Sequence, residues 1–393
     1  MLILCCARDE AFAASAEKTT VVILGVEHSA QLVAPASSAG MLSAFMDRVV
    51  PQAICIERPP EQTSRRDFYE FTYEVQDVVV PYADARRIAL CPMDWMPSLE
   101  DQALAFGRNL DEPPEIRPRQ GMHAFLTFAE PRTRELDLFF SDDPAATAPV
   151  NTWSRQQSVP AARDFPRRLY LYRTFLQARR IAAAAEHYRG RTILVVVGYF
   201  HKPDIEAILS TDESIELRQP AAFGRPSDVD AERAMTQEQR SAVLNFNLLA
   251  QQAETKNVDW SWMERTLTAL ESDAPTPESR VFRARLEELT GRLAPRSAVT
   301  TYRALLAATP AEARFSWTGV KDQSRLDSFV DPFGNLTVRQ RIIVELVRLL
   351  RADGKEREAA RPLKELRDQL GDRKGRQLDS YAHEYLTGRL MKD

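Results

Sequence analysis

Two apolar runs constrain this chain more than any other feature. Thr19 to Leu24 reads TTVVIL and Thr192 to Val197 reads TILVVV, and each ends on a glycine, Gly25 or Gly198. Continuous β-rich runs of this length suit strands buried on both faces, as in parallel sheets. Two shorter runs, Ala53 to Ile56 after Pro51 and Ile88 to Cys91 before Pro92, read the same way. Helical periodicity lies between them, at Gly40 to Val50, Arg65 to Asp77 and Phe165 to Tyr188. Parallel neighbours need crossovers, so this part is expected to be an α/β domain with a mostly parallel sheet and helical crossovers.

The texture changes after Ser210. Pro220 to Ser227 (PAAFGRPS) reads as a linker, and beyond it the β-branched runs vanish. Ile342, Ile343, Leu346, Leu349 and Leu350 form one apolar helical stripe, with Thr337 placed to cap it and Gly354 to end it. Ala359 to Leu370 reads as its antiparallel partner. A chain of 393 residues suits two domains. The expected division is a leader or tail at 1–18, an α/β domain at 19–220 and an all-α domain at 228–393. Helix pairs resemble solenoid repeats, but no fixed period is present. Residues 101–164, with seven prolines, read as an insertion of loops and short helices that either covers a site or is a plain surface excursion.

Composition excludes some classes of function. Lys plus Arg is 52 and Asp plus Glu is 56, a net charge of −4, which gives no electrostatic case for nucleic acid. No apolar run approaches the roughly 20 residues of a membrane span. The N-terminus reads two ways. Met1 to Cys6 is apolar and Ala11 to Ala16 offers small-residue cleavage patterns, but Arg8, Asp9 and Glu10 interrupt the core of a signal. The protein is expected to be periplasmic or secreted if this is a truncated signal peptide, and cytoplasmic otherwise. Cys5 and Cys6 fall in that leader, while Cys55 and Cys91 lie in strand-like runs and read as buried free thiols.

Chemistry concentrates where the strands end. Gly25-Val-Glu-His28 and Gly198-Tyr-Phe-His201 repeat one pattern, a strand, a glycine and a histidine three residues on. A chain with 14 Gly and 5 His would show about 0.2 such pairings by chance, and this one holds two behind strands. Glycine permits a sharp turn off the strand, which brings the histidine to the carboxyl edge, where α/β sheets bind ligands. Glu57 and Asp94 follow the two shorter strands, so His28, Glu57, Asp94 and His201 are expected to gather at one edge. Two imidazoles with one or two carboxylates suit a divalent metal with an open position for water, or acid–base work without metal. The plainer readings are a surface pair of Glu57 with Arg58 and a turn-capping Asp94. Glu27 is expected to point away from His28. His123, His187 and His383 read as structural.

The paired Gly-x-x-His motifs, the post-strand glutamate and an Arg-bearing helix before the second motif resemble the TraB/TIKI family, within a superfamily that includes ChaN-like and erythromycin-esterase-like proteins. Arg173-Thr-Phe-Leu-Gln177-Ala stands in the place of the family's Arg-Asn-x-x-Met-Ala-like pattern, with Thr174 and Gln177 departing from it. The resemblance covers roughly residues 19–210. It implies a metal-dependent hydrolase of amide, peptide or ester bonds, with His28, His201 and Glu57 binding Mn, Co or Zn and with Glu57, Asp94 and Arg173 in catalytic roles. Its partner would be a small-molecule or peptide substrate. The ChaN-like branch implies haem instead, with Tyr199 or His201 as ligand and Trp95 lining a slot. A third reading is a non-catalytic protein that binds a partner through its C-terminal helices. Leu169, Arg173, Leu176 and Arg180 share a helix face. Leu169 and Leu176 are expected to anchor it to the sheet, Arg173 to be buried and paired with Glu57 or Asp94, and Arg180 to be more exposed.

Overall fold

The computed structural model describes residues 17–106, 112–121, 123–156 and 160–386. Most of the leader reading, with Cys5 and Cys6, and the last seven residues of the helical region lie outside these. Five strands form one sheet, β1 (Thr19–Val26), β2 (Ala53–Ile56), β3 (Ala89–Pro92), β4 (Thr192–Gly198) and β5 (Ile215–Arg218), in the order β3-β2-β4-β1-β5. Every pairing is parallel. The two long apolar runs lie side by side in the middle, with Gly25 opposite Val197 and Val26 opposite Gly198.

Period-two alternation sends the strand residues to two different cores. On one face Val21, Ile23, Cys55, Ile193 and Val195 pack against Ala178, Ile181 and Ala185 of a long helix. On the other, Val22, Leu24, Ile54, Ile56, Leu194 and Val196 belong to a cluster that runs on without a break through Phe246, Trp262, Phe282, Val347 and Tyr381. The helices beyond residue 227 therefore cover a face of the sheet, and their apolar stripes pack into the same core as the strands. The fold class is the expected one, a parallel sheet with helical crossovers followed by a mostly helical region.

Helices of this part include α1 (Ala39–Val49), α2 (Val80–Arg86), α3 (Pro144–Ser154), α4 (Ala161–His187), which carries Arg173, and α5 (Lys202–Leu209), which follows His201. Later comes α6 (Val338–Ala352), capped by Thr337 through its bond from the Gln340 amide and followed by Gly354 at φ 73°, as its sequence indicates. Its neighbour α7 (Glu356–Gln369) packs against it.

Two local expectations need correction. The helix expected at 65–77 begins instead at Glu74, as a wide π-type turn through Val79 that leads into α2. Arg66 has φ 54°, which breaks regular helix there. Pro81 has no N–H for the Asp77 carbonyl, which accepts from Gln239 instead, and a wide turn fits that missing bond. Strand β5 was not foreseen, because Ile215-Glu-Leu-Arg218 is a polar edge strand with only Ile215 buried.

Candidate functional site

The carboxyl ends of β1, β2, β3 and β4 lie at one edge of the sheet, so His28, Glu57, Asp94 and His201 collect there. Glu57 is at the centre. Its Oε1 accepts from Arg173 Nη2 at 2.7 Å and its Oε2 from the Gly198 amide at 2.7 Å. The two histidines flank it, with His28 Nε2 3.6 Å from Oε2 and His201 Nε2 3.6 Å from Oε1. Both Nε2 atoms are buried and have no hydrogen-bond partner among the described residues.

The other ring nitrogens are anchored. His28 Nδ1 meets Glu74 Oε1 at 2.7 Å, and the second oxygen of Glu74 accepts from the Ser29 amide at 3.0 Å. Ser29 has φ 61°, a costly conformation for serine. Its hydroxyl holds that turn by donating to the Phe71 carbonyl and accepting from the Tyr73 amide. His201 sits on the turn Tyr199–His201, where its Nδ1 lies 2.6 Å from Thr174 Oγ1. The single hydroxyl proton of Thr174 goes to the Tyr170 carbonyl at 2.8 Å, so the hydroxyl accepts from Nδ1–H and leaves the lone pair on Nε2. The Tyr170 ring stacks on the imidazole with centroids 5.1 Å apart.

The site glycines serve by lacking a side chain. Neither adopts positive φ. A Cβ on Gly25 would come within 2.9 Å of Tyr199 Cα and 2.8 Å of Ser141 Oγ, and one on Gly198 within 2.9 Å of His28 Nε2. Each motif's glycine thus makes room for the other motif, which is a different reason from the sharp turn expected of it.

Arg173 is bound in as expected. Its Nε and Nη2 grip both oxygens of Asp94 at 2.7 Å while Nη2 also serves Glu57. Asp94 accepts further bonds from Tyr69 and Gln177. The plainer readings of the two acids fail, since both are buried, and Arg58 turns away from Glu57 to the Asp67 carbonyl and the Tyr69 ring. The helix-face expectation also needs correction. Leu169 lines the cavity beside Arg173, while Ala178, Ile181 and Ala185 anchor α4 to the sheet. Arg180 is half-buried and donates to the Asp94 carbonyl rather than reaching solvent freely. Thr174 and Gln177, the two departures from the family pattern, are both bonded into the site.

These surroundings drive the two imidazoles apart. Burial disfavours a charged His28, but the Glu74 carboxylate, helped by Glu57 and Glu27, prevails and pushes its pKa up to about 9. Burial and the nearby Arg173 and His28 charges hold His201 far below the usual histidine range. Burial raises Glu57 despite Arg173 and His28. Burial works to raise Asp94, but the Arg173 charge together with the hydrogen bonds from Arg173, Tyr69 and Gln177 outweighs it and pulls Asp94 down to about 2. The result is a cationic imidazole and a neutral one on either side of a single carboxylate.

Above this floor opens a cavity of about 920 Å³. Much of its wall comes from the proline-rich excursion, including Arg117, Phe125, Phe128 and Trp153, so that segment does cover the site. Glu27 and His123, one expected to point away from His28 and the other read as structural, line it as well. Tyr199 and Trp95 do not line it, and pack instead on Phe140 and Tyr172.

The paired Nε2 atoms and Glu57 are donors of the right kind for a divalent ion. Among the described residues, however, no group of three or more His, Cys, Asp or Glu side chains converges closely enough to hold one. Sequence reasoning missed Glu74 and Tyr170 as site residues, and named Thr174 only as a departure from the family pattern. Tyr170 carried a usable signal, since it lies three residues before Arg173 on one helix, whereas Glu74 carried none. Comparisons with family models, curated proteins and solved structures find no match.

Proposed function

We propose that this protein hydrolyses an amide or ester bond at the carboxyl edge of its sheet. One observation carries the reading: two unpartnered imidazole Nε2 atoms flank the buried Glu57 carboxylate beneath a large cavity. His201, with its lone pair on Nε2, would take a proton from water, and the Glu57 carboxylate 3.6 Å from that nitrogen would stabilise the imidazolium that forms. His28, held cationic by Glu74, is suited to stabilise the developing oxyanion and to deliver the proton that the leaving group needs. Water oxygen bonds to the carbonyl carbon, the C–O or C–N bond breaks, and the alcohol or amine leaves with that proton. Glu57 keeps the two rings apart and in register, anchored by Arg173 and the Gly198 amide. A divalent metal of the kind the TraB/TIKI resemblance implies would draw on His201, Glu57 and a deprotonated His28, which would have to close in from their present spacing, and would supply carbonyl polarisation.

The test uses the full chain, a p-nitrophenyl ester and an N-acyl p-nitroanilide, with elemental analysis of the same preparation. His201→Gln is expected to lower turnover by about 100-fold or more while circular dichroism and thermal unfolding remain near wild type. Loss of turnover on chelation, regained with Mn²⁺, Co²⁺ or Zn²⁺, assigns the metal-dependent form. Turnover that survives chelation assigns the acid–base form. Wild-type turnover in well-folded His201→Gln refutes the site.

A further inference from the structure

The walls of the cavity say what the substrate carries beyond its scissile bond. Phe125, Leu126, Phe128, Trp153, Leu169 and Phe329 supply a broad apolar surface above the histidines. The guanidinium groups in the same wall are already matched to carboxylates. Arg117 is bound by Glu70 at 2.5 Å and Asp327 at 2.9 Å, Arg119 by Glu384 at 2.7 Å, and Arg173 by Asp94 and Glu57 at 2.7 Å. A carboxylate or phosphate at the far end of the substrate, away from the His28 imidazolium at the floor, would have to break one of these pairs, or else lie unpaired against aromatic rings. Glu27 in the lining adds a further acidic group beside it. An uncharged, apolar group meets none of these penalties and gains from every wall residue it covers.

We infer that the cavity takes a neutral ester or amide whose acyl part is a long apolar chain or an aryl group. This rests on the hydrolase reading and narrows it.

The experiment follows kcat/KM of the full-length protein on p-nitrophenyl acetate, butyrate, hexanoate and octanoate, and on the octanoate analogue with a terminal carboxylate. Efficiency is expected to rise by up to about fourfold per added methylene, the equivalent of burying each one. The terminal carboxylate is expected to cost about 100-fold against the plain octanoate. Leu169→Trp, which narrows the cavity, is expected to lower the octanoate-to-acetate ratio by about tenfold. A parallel arm follows binding of p-nitrophenyl octyl ether, which has no scissile ester, through quenching of tryptophan emission. A flat chain-length series, or a carboxylate analogue as good as the octanoate, overturns the inference. Ether binding without turnover of any ester overturns the hydrolase reading and leaves the apolar specificity standing. Turnover that ignores chain length, with no ether binding, does the reverse.

Discussion

Arg173→Ala is the most telling single substitution. The guanidinium makes three bonds at 2.7 Å to two carboxylates whose side chains are 3% and 0% exposed. Removing it leaves Glu57 with the Gly198 amide and the His28 imidazolium 3.6 Å away, and Asp94 with Tyr69 and Gln177. Breaking a buried pair by deleting one partner costs about 3–5 kcal/mol. Asp94 keeps two donors, so a loss of about 4 kcal/mol is expected near neutral pH. Arg180→Ala removes one bond to a backbone carbonyl and is expected to cost about 1 kcal/mol. The loss should also depend on pH. Without Arg173, the foremost influence lowering it, Glu57 rises further above its ordinary range. The folded variant then binds a proton that its unfolded chain does not, so its stability recovers as pH falls. Wild-type Asp94 contributes stability that is present above the unfolded carboxylate range and lost as pH falls through about 2, so it stays constant between pH 7.5 and 5. Urea unfolding, followed by tryptophan emission at both pH values, reads the difference directly. The gap between wild type and Arg173→Ala should be wider at pH 7.5 than at pH 5. A gap below about 1 kcal/mol, the size of one ordinary hydrogen bond, and the same at both pH values, refutes the claim that Arg173 neutralises buried charge.

Two further outcomes follow from the geometry. Gly25→Ala should destabilise more than Gly198→Ala, within a range of about 1–3 kcal/mol, because its Cβ meets the Tyr199 backbone whereas that of Gly198 meets only the side chains of His28 and Phe200, which yield more readily than backbone; equal urea midpoints for the two variants would contradict this. His28, whose folded pKa is raised to about 9, should contribute stability that is complete below pH 6.5 and lost as pH rises through about 9; proton NMR titration should find that pKa, and should find it lowered in Glu74→Gln, whereas a His28 that titrates near 6.5 in the wild type removes Glu74 from the argument.

The strands and their shared edge were legible because burial on both faces leaves a local signature. TTVVIL and TILVVV need no partner to be read, and parallel pairing then forces whatever follows each strand to the same side. Glu74 was not legible. It lies 46 residues from His28, and no local pattern marks a carboxylate that a distant imidazole will meet. The helix at 65–77 failed because periodicity counts apolar spacing and cannot see Arg66 turning left-handed. The stripes of the C-terminal helices announced that they are buried, but not against what. Ile342 and Val347 belong to the same cluster as Val22 and Leu24, an arrangement set by tertiary packing and absent from any window of sequence.

The reciprocal fit of the two motifs has a consequence for descent. Gly25 is vacant for Tyr199 and Gly198 is vacant for His28, so neither four-residue segment can drift without obstructing its counterpart. Replacement of His28 alone would relax the demand on Gly198 and open that strand end to larger residues in later generations. Recombination that brought in one segment from a lineage with a different pair would join a side chain to a space already filled. The two segments, separated by most of the N-terminal half of the chain, are therefore bound to be inherited and lost as one.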